Sequence, residues 1–349
     1  MTEYPIHPIY KEYCDKNGND FNKVFKEMQG VTEEEKYQII LKIRARATKP
    51  SHNHRTVRYQ QEVCGSDGIK VNTTVFRPFG SEHDILPVVL FCHGGGWVFG
   101  NVDTYTYFIN DLCIQAHVAV MAVDYTLSPE RQFPVANTQA FLTLCWLSEN
   151  ARSIFTDPEN IYVMGDSAGG NMATVVSSKY FIYVYTCMRK QKFNLFFYLV
   201  MAKNSGKQVI KAQVLIYPLV SLGDTSYDSY QKYGHGDLPL SAEMTKFSAC
   251  MYLPKGAQEC HNLYMSPIVA TKKELEGLPD ALILTSECDI LCDEGEAYAA
   301  KLLQAGVNTI GVRILGTVHE FISLPVPETP QYKLAVQTIT IFLNDQKMK

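Results

Sequence analysis

Short apolar runs rich in β-branched residues recur along the chain, separated by longer stretches of helical periodicity. Strand-like runs fall at 56–64, 69–78, 87–92, 118–124, 160–164, 211–217, 281–287 and 309–315. Helical patterns occupy about 137–150, the stretch after 168, 294–305 and 331–344. Gly65-Ser66-Asp67-Gly68 separates the first two strands as a hairpin-like turn. From 87 onward the regular alternation of strand and helix predicts an α/β domain, a mostly parallel sheet covered by helices on both faces. Residues 1–50 read as mostly helical, with Thr32-Glu33-Glu34-Glu35 as a helix start. A second irregular segment, about 220–265 and rich in Tyr, Ser, Gly and Asp, interrupts the alternation. No internal repeat is visible.

Composition narrows the picture. A chain of 349 residues can bury one large core. A net charge of −4 gives no electrostatic reason to expect a nucleic-acid partner. Met1 to His7 contains no apolar signal segment, so secretion is not expected. Ten cysteines are scattered without C-x-x-C pairs, and several, such as Cys64 and Cys92, lie in strand-like runs. That pattern suits reduced, buried thiols in the cytoplasm better than disulfides or a metal site. Cys288 and Cys292, four residues apart with no histidine pair nearby, are a weak metal signal.

The chemistry gathers around Gly165-Asp166-Ser167-Ala168-Gly169, placed where the run Asn160–Met164 gives way to a helix start. Small residues flanking a serine on a strand-to-helix turn let backbone and substrate approach its hydroxyl. The same motif alone also fits an ordinary Gly-rich turn. A serine hydroxyl is a weak nucleophile and needs a base, an orienting acid and donors for an oxyanion. His93-Gly94-Gly95-Gly96-Trp97 directly follows the strand at 87–92, and its glycines leave N–H groups uncovered. Beyond Ser167 the histidines are His235, His261 and His319. His319 follows a strand and the turn at Gly316, at the carboxyl end where open α/β sheets place their chemistry, whereas His235 and His261 lie in irregular polar stretches. Asp289 stands at the tip of the strand 281–287. Asp293, Glu294 and Glu296 fall in the first turn of the next helix, where acids already have a structural reason to be.

These segments, with Asp124-Tyr125-Thr126-Leu127-Ser128-Pro129-Glu130, Asp289 to Gly295 and His319-Glu320-Phe321, resemble the hormone-sensitive-lipase-like carboxylesterases over roughly residues 60 to 345. This is the His-Gly-Gly-Gly branch of the α/β-hydrolases. The resemblance implies the α/β-hydrolase fold with a helical cap built from 1–50 and 220–265. It implies Ser167 as nucleophile, His319 as base, Asp289 as its orienter, and Gly95, Gly96 and Ala168 as oxyanion donors. It further implies hydrolysis of small-molecule carboxylic esters of short to medium acyl chains through an acyl-enzyme, with no metal or organic cofactor. Amide deacetylation by the same triad, or ligand binding by a catalytically impaired relative, are the alternatives. Oligomeric state is left open. The family usually has Arg at 126, Pro at 290, Arg at 292 and Gly at 320; these departures bear on substrate preference and loop geometry rather than reaction class.

One segment does not fit this frame. Residues 178–199 include eight aromatic residues and no Gly, Pro, Asp or Glu. Its two apolar stretches, split by Arg189-Lys190-Gln191-Lys192, are too short to span a bilayer, and membrane contact is not expected, although a surface-lying amphipathic anchor is one reading. The sharper reading is a retained intron translated in frame. Ser178-Lys179-Tyr180 can be written AGT-AAG-TAT, which contains a splice-donor consensus, and Phe196 to Val200 can be written as a pyrimidine-rich tract ending in AG. Excision leaves a single isoleucine codon between Ser177 and Met201, and brings the Ser167–Asp289 spacing near that usual for the family. Sequencing the transcript across this junction should reveal the shorter form; messenger RNA uniformly carrying these codons would sink the idea.

Overall fold

The computed structural model describes residues 4–28, 30–45, 55–65, 69–178, 209–254, 262–324, 326 and 329–349. The segment 178–199 apart from Ser178, His261 and the turn residues 66–68 therefore lie outside the described residues.

Eight strands form one sheet: β1 (Thr56–Cys64), β2 (Lys70–Pro78), β3 (Leu86–Cys92), β4 (Ala119–Val123), β5 (Thr156–Asp166), β6 (Ile210–Ile216), β7 (Asp280–Cys288) and β8 (Thr309–Val318). Their order is β1-β2-β4-β3-β5-β6-β7-β8. β1 pairs antiparallel with β2 and β2 antiparallel with β4, and every later pair is parallel. All five residues of β4 are buried, as are nearly all of β3 and β6, so these strands show continuous apolar runs rather than alternation. β8, at the sheet edge, is only partly covered and leaves Ile310 and Leu315 in solvent.

Among the described residues there are ten α-helices: α1 (Pro8–Glu27), α2 (Glu33–Ala45), α3 (Thr106–Ala116), α4 (Val135–Asn150), α5 (Ala168–Ser177), α6 (Asp228–Tyr233), α7 (Ala242–Tyr252), α8 (Lys272–Leu275), α9 (Cys292–Gln304) and α10 (Pro330–Lys347). α2 starts where expected: Glu35 accepts from the Thr32 N–H at 2.8 Å, and Thr32 Oγ1 accepts in return from the Glu35 N–H at 3.3 Å. The apolar pattern does not predict α3. It carries aromatic and β-branched residues with low helix propensity, its outer face (Tyr107, Asp111, Ile114, Gln115) is half apolar and its buried face includes Thr106 and Asn110, so residue polarity does not mark its period. α3 packs against α10, where the Tyr332 hydroxyl donates to Asp111 Oδ2 at 2.9 Å, and α4 packs against α5. No helix among the described residues is long and apolar enough to cross a membrane.

The described cysteines are all free. Cys14, Cys92, Cys113, Cys288 and Cys292 are buried, but Cys64, expected inside, is exposed at the end of β1.

The tightest packing lies where β5 passes into α5. A Cβ on Gly165 would stand 2.1 Å from the Gly169 carbonyl oxygen, and one on Gly169 would stand 2.0 Å from that of Cys92. No side-chain rearrangement relieves a clash with backbone. Gly169→Ala should therefore destabilise the fold by roughly 3 kcal/mol or more, seen as a lower urea midpoint with the slope unchanged; an unchanged midpoint would refute the constraint.

Candidate active site

Ser167 is the turn between β5 and α5, with φ 52° and ψ −121°. An L-residue rarely occupies this region, at a cost of about 1–3 kcal/mol, unless its surroundings over-determine it. They do so here. The Ser167 N–H donates to the Ile216 carbonyl at 3.0 Å, and the Ser167 carbonyl accepts from the N–H groups of Asn171 and Leu219, each at 3.1 Å. Asn171 then donates its side-chain amide to the carbonyls of Leu219 and Met265.

His319 follows β8 and Asp289 follows β7, both at carboxyl ends of parallel strands, as the sequence predicts. The structure brings all three groups together. His319 Nδ1 lies 2.6 Å from Asp289 Oδ2, and His319 Nε2 lies 2.9 Å from Ser167 Oγ. Asp289 Oδ1 accepts from the Leu291 N–H at 3.0 Å, so the carboxylate is held from both sides. An acceptor at Nδ1 fixes the tautomer with its proton there, leaving the Nε2 lone pair for the serine hydroxyl. His319 and Asp289 are each 2% exposed and Ser167 6%. Burial alone pulls the imidazole pKa down, but the charge and hydrogen bond of Asp289 outweigh it, and the net direction is up. The Tyr217 ring packs beside the imidazole at a centroid distance of 4.8 Å.

The glycine loop after β3 is tied to the serine turn through the Gly94 N–H, which donates to Asp166 Oδ1. Gly95 and Gly96 take φ of 107° and 61°, a left-handed geometry open to glycine. The Gly95 carbonyl accepts from Val98 and Phe99 and so turns inward to its own loop. Among the described residues no acceptor takes the N–H of Gly95, Gly96 or Ala168. His93 is neutral and structural: burial pulls its pKa down to about 4, its ring stacks on Tyr125 at 4.3 Å, and Nδ1 meets the Gly94 carbonyl at 2.7 Å.

Several residues that hold the site carried no clear signal in the sequence. Asp166 is fully buried, accepting from the Gly94 N–H at 2.8 Å and the Tyr105 hydroxyl at 2.9 Å. Burial pushes its carboxyl up to about 7, against the pull of both hydrogen bonds. Glu294, expected merely to favour a helix end, is buried in the first turn of α9 and accepts from the N–H groups of Val220 and Ser221 at 2.7 and 2.9 Å. Glu296 lies beyond that first turn and forms a paired hydrogen bond with Arg313 at 2.6 and 2.7 Å. Arg44 of α2 clamps Glu130 and also donates to the carbonyls of Val98 and Ser128, which ties the N-terminal helices to the loop beyond the glycines. His235 is exposed, in a turn of the segment after α6. Among the described residues no group of three or more His, Cys, Asp or Glu is placed to hold a metal ion.

Comparison with known proteins agrees with this architecture. A family model described as alpha/beta hydrolase fold matches residues 89–323. A carboxylesterase of Mycobacterium tuberculosis is 31% identical over 254 residues, covering 72% of each chain. Among solved structures, an esterase of Rhizomucor miehei is 37% identical with a TM-score of 0.79, covering 98% of each chain. A thermostable esterase from Pseudomonas putida is 28% identical with a TM-score of 0.81, covering 99% of each. The chain belongs to the α/β-hydrolase fold family. Within it the chain falls in the hormone-sensitive-lipase-like branch, and it is a carboxylesterase- and lipase-like hydrolase.

The opposing effects on His319 give a direct check. Its NMR titration midpoint should lie above the ordinary 6.5. In Asp289→Asn the main opposition to burial is removed, with only Glu320 and Asp166 still raising the pKa, and the midpoint should fall; a midpoint unmoved by the substitution would contradict the assigned pairing.

Proposed function

We propose that the protein hydrolyses carboxylic esters with Ser167 as nucleophile, His319 as general base and acid, and Asp289 as the group that orients the imidazole. The reading is carried by the unbroken hydrogen-bonded relay from Asp289 through His319 to Ser167. Ser167 Oγ attacks the ester carbonyl carbon while its proton passes to His319 Nε2. The carbonyl oxygen takes the negative charge and is held by the N–H groups of Gly95, Gly96 and Ala168, commonly the largest single contribution to such catalysis. As the tetrahedral intermediate collapses, His319 returns the proton to the departing alkoxide, which leaves as the alcohol. Water then attacks the acyl-enzyme by the same route and releases the acid and free Ser167.

We read α1, α2, α6 and α7 as the cap. Val98, Ile40 and Phe247 join one small apolar cluster beside the glycine loop, which brings α2 and α7 close to the reaction centre. Such a cover supports a preference for short to medium acyl chains. Names of relatives support ester hydrolysis itself: arylesterase in Saccharolobus solfataricus, carboxylesterase in Mycobacterium tuberculosis. The free thiols among the described residues support a reducing compartment such as the cytoplasm.

Ser167→Ala should lower kcat/KM for p-nitrophenyl acetate by roughly 10⁴-fold or more and abolish both the acylation burst and covalent labelling by a fluorophosphonate. Retained full activity would overturn the assignment. Across a p-nitrophenyl ester series, turnover of the wild type should fall from butyrate to decanoate; a profile rising toward long chains would defeat the chain-length reading.

A further inference from the structure

The loop after β3 runs through three consecutive left-handed residues, Gly95 at φ 107°, Gly96 at 61° and Trp97 at 59°. Glycine takes this geometry freely, but a tryptophan stays there only when its surroundings hold it. The contacts that hold Trp97 come from outside the loop. Its carbonyl accepts from the Ser128 N–H at 2.8 Å. Its indole N–H has no hydrogen-bond partner among the described residues, so packing alone fixes the ring. The ring lies flat on Tyr252 of α7, with centroids 4.0 Å apart and planes 2° from parallel.

α7 meets the loop at one position after another. A Cβ on Gly96 would overlap Ser248 Oγ and stand 2.9 Å from Ser248 Cβ, so α7 lies directly against the Gly96 backbone. Ser248 and Tyr252 are four residues apart and so share one face of the helix. Beside them Phe247 stacks on Phe99 at 6.4 Å and joins Val98 in the small apolar cluster. The helix is itself anchored to the body of the fold. The Tyr252 hydroxyl donates to Asn137 Oδ1 of α4 at 3.2 Å, and the Tyr252 carbonyl accepts from the Phe133 N–H at 2.8 Å. Gln132 Nε2 donates to the Met251 carbonyl at 3.0 Å. Ser248, Tyr252 and Trp97 are buried, whereas Gly95 and Gly96 stay partly accessible.

We propose that Ser248 and Tyr252 are positioning residues that aim the oxyanion donors, Ser248 by its contact with Gly96 and Tyr252 through the Trp97 ring. α7 thereby belongs to the catalytic apparatus as well as to the cover above it. Loss of either contact lets the Gly95 and Gly96 N–H groups wander from the developing charge, which slows the chemical step more than it weakens substrate binding. The inference rests on the ester-hydrolase reading above.

The test compares p-nitrophenyl acetate with its thionoester, in which sulfur replaces the carbonyl oxygen. N–H groups bond a developing charge on oxygen better than on the larger, more diffuse sulfur, so the ratio of the two kcat/KM values reads how well the donors are aimed. The wild type should favour the oxygen ester. In Tyr252→Leu and in Ser248→Gly the ratio should fall roughly 10-fold, with kcat for the oxygen ester lowered and KM little changed. Tyr252→Phe, which keeps a ring on Trp97, should restore the ratio. Because both esters are measured on one sample, incomplete folding cancels, and Ser248→Gly carries the comparison if Tyr252→Leu does not fold. A ratio unchanged in Ser248→Gly and in any folded Tyr252→Leu, with Ser167 still labelled by a fluorophosphonate, would overturn the inference and leave the hydrolase reading standing. A wild type that neither turns over the oxygen ester nor takes the label would overturn both.

Discussion

The close approach of three backbones, at Cys92, Gly165 and Gly169, is the constraint on which the rest of the structure depends. Only hydrogen atoms fit between the end of β3, the end of β5 and the first turn of α5. That approach lets the chain reverse sharply enough to leave Ser167 in a strained conformation, with its main-chain groups bonded to Ile216, Asn171 and Leu219. The strain is tolerated because those partners belong to separate elements of a buried sheet and cannot relax together. A looser junction would let the serine turn relax, and the 2.9 Å contact with His319 would be lost.

Buried carboxylates do the remaining alignment, and each ties one segment to another. Asp166, beside the serine, holds Gly94 and thereby orients the glycine loop. Asp289 holds His319 and is itself held by Leu291. Glu294 secures the turn after β6 through Val220 and Ser221, and that turn supplies Leu219 to the serine carbonyl. A charge buried without such donors would cost several kcal/mol, so each carboxylate strongly favours the arrangement that satisfies it. The site is thus oriented by polar groups whose alternative positions are all worse, while apolar packing determines only where the strands run.

Much of this was legible from the residues alone. The strand ends carrying Ser167, Asp289 and His319 could be read because buried strands advertise themselves as apolar runs and the chemistry follows at their carboxyl ends. α3 could not, because Tyr107 and Ile114 lie on its outer face while Thr106 and Asn110 lie on its buried one, so polarity does not follow the helical period. Glu294 was misread for a related reason. Its position in a first helical turn has a sufficient local explanation, and nothing local reveals that Val220 and Ser221 will arrive from more than seventy residues away. Cys64 was misjudged because a strand-like run does not say which strand lies at an edge.

The sequence by itself determined the kind of sheet, the turn on which the serine stands and the order of the three chemical groups, since these depend on local periodicity and on residue types with few alternative uses. Tertiary structure alone decided which carboxylates are buried, that burial lowers the pKa of His93, and that Asp289 raises that of His319. Those properties are set by distance and solvent exclusion between segments far apart in the chain, and neither quantity is written in the spacing of residues.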